Sequence, residues 1–251
     1  MVHLFISPHL DDIALSCGGY AYRLSHAGEE VLIATVCTAD APPGIPLSPS
    51  AQHEHWQWKL GDRPYEQRSI EDDHVAGLLG ASYIHMGLLD AIYRYDENGE
   101  PLYSGKGFMG GKVHPSDWAN QFPELLSLLE DLFVTFSPGR VYCPLAAGGH
   151  VDHLITRRAI EQQCSADRIV YYEDYPYAQK DPGAITTALG EADKWRSSLI
   201  DLTEEEVETR IAAIGSYASQ LVAVFGSAED MPGLVREYIS VTGGERYWER
   251  A

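Results

Sequence analysis

The 251-residue sequence predicts an α/β protein with a Rossmann-like, mostly parallel sheet and helices on both faces. A strand, a helix and a second strand follow one another within the first forty residues, which is typical of a βαβ unit. The second strand, over 31–38, is almost uninterruptedly apolar, as expected of a strand buried on both faces of a parallel sheet. Acidic and imidazole side chains follow two of the predicted strands, so we expect the active site at the carboxyl edge of the sheet.

The remaining elements continue this alternation. The patterns predict strands over 2–7, 82–87, 140–145, 168–175 and 195–202. They predict helices over 12–26, 65–79, 118–133, 150–164, 203–221 and 228–241. Thr203 and Glu206 form a capping box that favours a helix start at this point. Because no change in composition marks a linker, we predict one domain over 1–251.

Two segments interrupt the pattern, and we predict that both are active-site insertions. Residues 39–64 begin with closely spaced prolines, while Trp56 and Trp58 favour an ordered lid over a disordered loop. His53 and His55 are interpreted as lid or surface residues. Residues 88–116 are rich in glycine and tyrosine, and they lack the Ser or Thr that would end a phosphate-binding loop.

Composition narrows the class of partner. Acidic residues outnumber basic ones 37 to 18, giving a net charge of −19, which argues against a nucleic acid or an anionic membrane as partner. No apolar run reaches the ~18 residues of a membrane span, and the N-terminus lacks the pattern of a signal peptide. The four scattered cysteines resemble reduced core residues of a cytoplasmic protein. The sequence leaves a homo-oligomer open.

The first cluster of chemically active residues lies immediately after the first strand. His9, Asp11 and Asp12 follow Ser7-Pro8, and a helical pattern begins at once. Taken alone, a His-Asp pair in this position is most often a helix cap or a surface hydrogen-bonding group.

The second cluster repeats this setting and changes the interpretation. His150, Asp152 and His153 follow the strand 140–145 and open a helix. If the two strands are neighbours, the clusters converge at one sheet edge. Two imidazoles and a carboxylate form a ligand set for catalytic zinc, which takes three protein ligands and leaves one position open. The surplus carboxylates and imidazole supply a base and a stabilising group, which favours a catalytic site over a structural one.

The two clusters resemble the hallmark motifs of the LmbE-like (PIG-L) zinc deacetylases, Pro-His-x-Asp-Asp and His-x-Asp-His. Members of that family remove acetyl from N-acetylglucosaminyl groups on inositol, malate or antibiotic scaffolds. Three further stretches resemble family patterns: Arg68-Ser-Ile-Glu71 with Leu79-Gly80, Gly87-Leu-Leu-Asp90, and Tyr217-Ala-Ser-Gln220. The resemblance covers nearly the whole chain.

The resemblance implies a role for each residue. It implies that His9, Asp12 and His153 hold the metal, for which Zn²⁺ or Fe²⁺ is suitable. It makes Asp11 the general base, and it makes His150 the group that stabilises the oxyanion or protonates the leaving amine. Asp152 is expected to orient His150. Arg68 and Asp90 are expected to contact the hydroxyls of a small-molecule N-acetyl sugar or glycoconjugate.

One position departs from the family pattern. Several members carry a tyrosine two residues before the first histidine of the second motif, where this chain has Gly148. The sequence offers Tyr142, or a tyrosine of the 88–104 segment (Tyr93, Tyr95 or Tyr103), as a substitute.

Two other functions stay open at this point. One is a metal-dependent amidase or deacylase of the same fold acting on a thiol conjugate, an antibiotic or a nucleoside. The other is a non-catalytic sugar-binding protein, although the presence of Asp11 argues against it because a binding protein does not need a base.

Overall fold

A computed structural model describes residues 1–251 and contains one seven-stranded sheet. The strands are β1 Val2–Ser7, β2 Glu30–Ala39, β3 Ser82–Leu89, β4 Arg140–Pro144, β5 Ile169–Tyr172, β6 Trp195–Ile200 and β7 Glu245–Arg250. Their order across the sheet is β3-β2-β1-β4-β5-β7-β6. β7 is antiparallel to both of its neighbours, β5 and β6, and all other pairs are parallel, so the predicted mostly parallel sheet is confirmed.

Eleven α-helices surround this sheet. They are α1 Asp12–His26, α2 Pro49–Trp58, α3 Pro64–Leu78, α4 Pro115–Ala119, α5 Gln121–Phe136, α6 Val151–Gln163, α7 Tyr177–Lys180, α8 Pro182–Leu189, α9 Glu204–Ser216, α10 Leu221–Phe225 and α11 Met231–Thr242. None of them is both long and apolar enough to cross a membrane.

Apolar side chains of the parallel strands are buried on both faces of the sheet. Phe5, Ile33 and Tyr142 point to the layer that contains α1, α9 and α11. Leu4 and Val141, their neighbours along the strands, point to the opposite layer with α5 and α6. This two-sided burial explains why the strand sequences are continuously apolar, and it confirms the predicted helices on both faces.

The strand order creates a crevice next to the first strand. β1 pairs in parallel with β2 on one side and with β4 on the other. The chain runs from β1 to β2 and then β3 in one direction, and from β4 onward in the other, so the direction of winding reverses between β1 and β4. Open α/β sheets bind their ligands at such a switch point.

Several elements differ from the sequence-based expectation. The segment 39–64 contains α2, which starts at Pro49 after the capping side chain of Ser48, a start signal that the proline-rich context concealed. The helix predicted over 203–221 ends at Ser216, because Tyr217 leaves the helical path and its hydroxyl bonds to Asp72. The helices α7 and α8 and the last strand, β7, were not predicted.

A buried ion pair anchors the last strand. Glu245 on β7 accepts hydrogen bonds from the backbone N–H groups of Gly19 and Tyr20 and lies 3.3 Å from the guanidinium of Arg210 on α9. Both charged side chains are fully buried. The pair therefore joins α1, α9 and β7.

We predict that Glu245→Ala lowers the free energy of unfolding by about 3–5 kcal/mol, because it leaves the Arg210 charge buried without its partner. Urea denaturation followed by circular dichroism measures this loss. The matched control is Glu249→Ala on the same strand, where a half-exposed pair with Arg140 is worth about 1 kcal/mol or less. Equal losses for the two variants would contradict the role given to Glu245.

Candidate active site

The first cluster is shaped by the turn between β1 and α1. The backbone N–H of His9 donates to Asp12 Oδ2 at 2.8 Å, and the N–H of Asp11 donates to the His9 carbonyl at 3.0 Å. Because α1 begins at Asp12, this turn holds both carboxylates at the end of the strand. Asp11 and Asp12 are both buried.

The second cluster occupies the matching turn between β4 and α6. The Nδ1 atom of His150 accepts a hydrogen bond from the backbone N–H of Asp152 at 3.2 Å and so caps α6. Burial, and next the nearby His9, lower the pKa of His150 well below its usual value. A neutral His150 that accepts at Nδ1 carries its proton on Nε2.

The two clusters converge on the carboxylate of Asp12. Asp12 Oδ2 lies 3.5 Å from His9 Nδ1 and 3.4 Å from His153 Nε2. With bonds of about 2.0–2.1 Å, two ligands of a tetrahedral zinc lie roughly 3.3–3.4 Å apart. Asp12 Oδ2 therefore lies at a zinc-like ligand spacing from each of the two imidazole nitrogens.

His153 provides a second indication of a metal. Its Nδ1 atom lies 2.6 Å from Asp174 Oδ1, which fixes the ring, and Asp174 Oδ2 is itself held by the backbone N–H of Ala147. The opposite ring atom, Nε2, is buried and has no hydrogen-bond partner in the chain. Metal-binding histidines show this arrangement, with one nitrogen held by a carboxylate and the other left for the metal.

Two other sets of potential metal ligands lie near Asp12. The rings of His9, His150 and His153 offer three nitrogens within 4.8 Å of one another, and His9, Cys37 and Asp152 form another such group. We favour the set with Asp12, since its Oδ2 atom faces both His9 Nδ1 and His153 Nε2, whereas the thiol of Cys37 has a pKa raised well above its usual value by burial.

The adjacent carboxylates Asp11 and Asp12 differ in their electrostatic environment. Burial acts to raise the pKa of Asp12, but His153 and His9 outweigh it and lower the pKa to about 2. Burial and the neighbouring Asp12 raise the pKa of Asp11 to about 6, although Arg68 opposes this. A carboxylate with a raised pKa is a better proton acceptor than its neighbour.

The carboxylate of Asp152 lies closer to His9 than to His150, the ring that it is expected to orient. Its Oδ2 atom lies 3.0 Å from His9 Nε2 but 3.9 Å from His150 Nδ1, so it contacts His9 more closely than His150. Asp152 Oδ1 accepts a hydrogen bond of 2.5 Å from Arg94, and this cation together with the His9 bond keeps the pKa of Asp152 well below its usual range despite burial. Its carboxylate therefore holds His9 Nε2 and leaves Nδ1 directed toward Asp12.

The expected sugar-binding residues line one pocket together with the first cluster and His150. This pocket has a volume of about 360 Å³, which suits a sugar-sized ligand. Arg68 is buried in its wall between the rings of Trp58 and Tyr65, at 4.6 and 4.9 Å, and its guanidinium lies 4.0 Å from Asp11. Asp90 accepts a hydrogen bond from the Tyr65 hydroxyl at 2.5 Å.

Both insertions contribute to this pocket. His53, Glu54 and Trp58 come from α2, and Lys106 and Phe108 come from the segment 88–116. The interpretation of His53 as a lid residue agrees with this position. His55 instead lies 2.6 Å from the Tyr93 hydroxyl and is absent from the pocket lining.

The tyrosines that the sequence offered in place of Gly148 all have hydroxyls engaged elsewhere. The hydroxyl of Tyr142 lies 3.0 Å from His3, and that of Tyr93 lies close to His55. Tyr95 bonds to Pro46, and Tyr103 bonds to Asp117. None of these four residues lines the pocket.

Sequence reasoning missed three residues at this site: Arg94, Asp174 and Tyr177. Asp174 follows the strand β5, so it could have been found by searching for acidic residues at the carboxyl ends of strands, as for the two clusters. Arg94 lies in an irregular segment and Tyr177 begins the short helix α7, and only the folded chain brings them to the site.

Fold and site together define a metal-dependent hydrolase, with paired carboxylates and histidines at the switch point of an α/β sheet. Residues 4–164 match the family model of PIG-L, described as GlcNAc-PI de-N-acetylase. The chain belongs to this family, in which zinc dependence is general, and it is an N-deacetylase.

Comparison with individual proteins also finds deacetylases. The 2'-N-acetylparomamine deacetylase of Niallia circulans is 25% identical over 241 residues, or 89% of this chain and 82% of that protein. The zinc-inhibited form of teicoplanin deacetylase Orf2 is 28% identical with a TM-score of 0.83, covering 100% of this chain and 99% of the other. The A40926 pseudoaglycone deacetylase Dbv21 is 25% identical with a TM-score of 0.73, covering 99% and 96%.

We predict that Asp174→Asn lowers zinc affinity by about 10–100-fold, because an amide supports the His153 ring less well than a carboxylate. Competition with a chromogenic chelator measures this affinity. Asp167→Asn, an exposed carboxylate before β5, is the control and is expected to keep the parent affinity. Unchanged affinity in Asp174→Asn would show that the contact does not support the metal.

Proposed function

We propose that this protein removes the acetyl group from an N-acetylglucosamine-type amide and releases acetate and a free amine. The observation that carries this proposal is the division between the two adjacent carboxylates. Asp12 faces His9 and His153, whereas the carboxylate of Asp11 lines the same pocket and forms no ion pair with either histidine. That arrangement leaves Asp11 available as a base beside a metal centre.

Each residue of the site is proposed to have a separate role in hydrolysis. His9, Asp12 and His153 would hold the metal, which supplies Lewis acidity when bound. Asp11 accepts a proton from the attacking water, whose oxygen bonds to the amide carbonyl carbon. The C–N bond then breaks, and the proton passes to the leaving nitrogen. Neutral His150 donates from Nε2 to the carbonyl oxygen as negative charge develops there.

Arg68 and Asp90 are proposed to position the sugar. Both lie in the pocket wall, and the rings of Trp58 and Tyr65 restrict the Arg68 guanidinium. Its Nε–H group is buried without a partner in the chain. The two terminal nitrogens of this guanidinium are not among the sealed polar atoms, so they can donate to a substrate hydroxyl. The acetylated aminosugars named for the relatives support this class of substrate.

A second candidate is deacylation of an amide on a more apolar scaffold. Phe108, Met109, Ala223 and Val224 line the same pocket as the charged residues. Such a surface binds an aromatic or aliphatic aglycone better than a free sugar. Acetate release from free N-acetylglucosamine, compared with an aryl N-acetylglucosaminide, distinguishes these two candidates.

We also propose that the protein acts in the cytoplasm on a small-molecule substrate. Its four cysteines are free and buried, which suits a reducing compartment.

We predict that Asp11→Asn lowers kcat for acetate release by about 10²–10⁴-fold, the usual contribution of a general base. Zinc content is expected to stay near the parent value, because Asp11 is not a ligand in this proposal. Coupled acetate assay and metal analysis of the same preparation measure both quantities. Asp73→Asn, an exposed carboxylate on α3, is the control. Full turnover in Asp11→Asn would remove Asp11 from the base role.

A further inference from the structure

Gly148 and Tyr177 fit against each other at the edge of the pocket. A Cβ atom at Gly148 would lie 2.7 Å from Tyr177 Cβ and 2.8 Å from Cγ, closer than real side chains approach. Gly148 also has a φ of +90°, which residues with side chains rarely adopt. The turn after β4 therefore leaves room for the tyrosine ring by carrying no side chain.

The position of Tyr177 places it beside the metal ligands. Its ring meets the His153 ring edge-on, with 6.1 Å between centroids. The His150 ring approaches His153 as well, at 5.2 Å. Tyr177 lines the same pocket as Asp11 and Asp12.

The hydroxyl of Tyr177 is a polar group of this wall that has no partner in the chain. It makes no hydrogen bond with the rest of the chain, and it is not among the polar atoms sealed from solvent. Tyr175, two residues earlier, differs in this respect, because its unpartnered hydroxyl is sealed inside the protein. An open hydroxyl in a catalytic pocket can bind a substrate atom, whereas a sealed one cannot.

We propose that Tyr177 is a catalytic residue whose hydroxyl donates a hydrogen bond to the amide carbonyl oxygen as that oxygen gains negative charge. This inference rests on the proposed deacetylation and adds a second donor beside His150. Tyr177 carries a phenol, whose ordinary pKa of about 10 lies well above neutral pH. Its hydroxyl therefore stays protonated and acts as a donor rather than as a base.

The other tyrosines near the site are less suitable as donors, because their hydroxyls already have partners. The hydroxyls of Tyr93, Tyr95, Tyr103 and Tyr142 have partners within the chain, as described above. Tyr65, which also lies near the pocket, donates to Asp90. Among these tyrosines, only Tyr177 combines an open hydroxyl with contact to a proposed metal ligand.

The test uses Tyr177→Phe, which removes the hydroxyl and keeps the ring that packs on Gly148. We expect kcat for acetate release from an aryl N-acetylglucosaminide to fall by about 10²–10³-fold, as for loss of one oxyanion donor. KM, zinc content and thermal unfolding are expected to stay near parent values. Tyr175→Phe is the matched control and is expected to keep the parent kcat.

A second measurement separates catalysis from structure. A methylphosphonamidate analogue of the same glycoside mimics the tetrahedral oxyanion, so its affinity is expected to fall by the same factor as kcat/KM in Tyr177→Phe. Affinity for the deacetylated product is expected to stay unchanged. A kcat within threefold of the parent, together with unchanged affinity for the analogue, would overturn the role of Tyr177. Failure of the parent protein to release acetate would instead reject the proposed function.

Discussion

The parallel pairing of β1 with β4 is the constraint on which the site depends. The register sets His3 opposite Arg140, Leu4 opposite Val141 and Phe5 opposite Tyr142, so both strands end at the same sheet edge. Each strand leads into a helix through a turn that carries one cluster of acidic and imidazole side chains. Residues more than 130 positions apart in the sequence are thereby brought within 3.5 Å. Apolar packing on both faces of the sheet keeps these strand ends in register.

The buried charges of the site explain why a cation belongs there. Buried charges are unfavourable unless opposite charges or hydrogen bonds compensate them. The buried carboxylates around the pocket outnumber the buried guanidinium groups; they are Asp11, Asp12, Asp90, Asp152 and Asp174, against Arg68 and Arg94. In the proposed ligand assignment, a divalent cation bound by His9, Asp12 and His153 would compensate the excess. Arg94 also links the 88–116 segment to this centre, because its guanidinium contacts both Asp152 and Asp117.

Local sequence signals account for what could be predicted. The apolar strands, the helix starts and the two clusters depend on residues adjacent in sequence, and the parallel strand order confirmed that the clusters meet. The partner of Asp152 could not be predicted, because the choice between His9 and His150 depends on side-chain packing across two loops. Tyr177 was missed for a related reason, since its relation to Gly148 exists only after β4 and β5 pair. The helix α2 did have a local signal, Ser48-Pro49, but the surrounding prolines favoured an irregular interpretation.

The most direct test of the account is the position of the metal in a zinc-loaded crystal, measured from anomalous scattering at the zinc edge. The account predicts one strong peak, at about 2.0–2.2 Å from His9 Nδ1, an Asp12 oxygen and His153 Nε2. Asp11, His150 and Tyr177 are expected to face the open coordination position without binding the ion. A principal peak bound through Cys37, or through His150 in place of Asp12, would contradict the ligand assignment and with it the role of Asp11 as a free base.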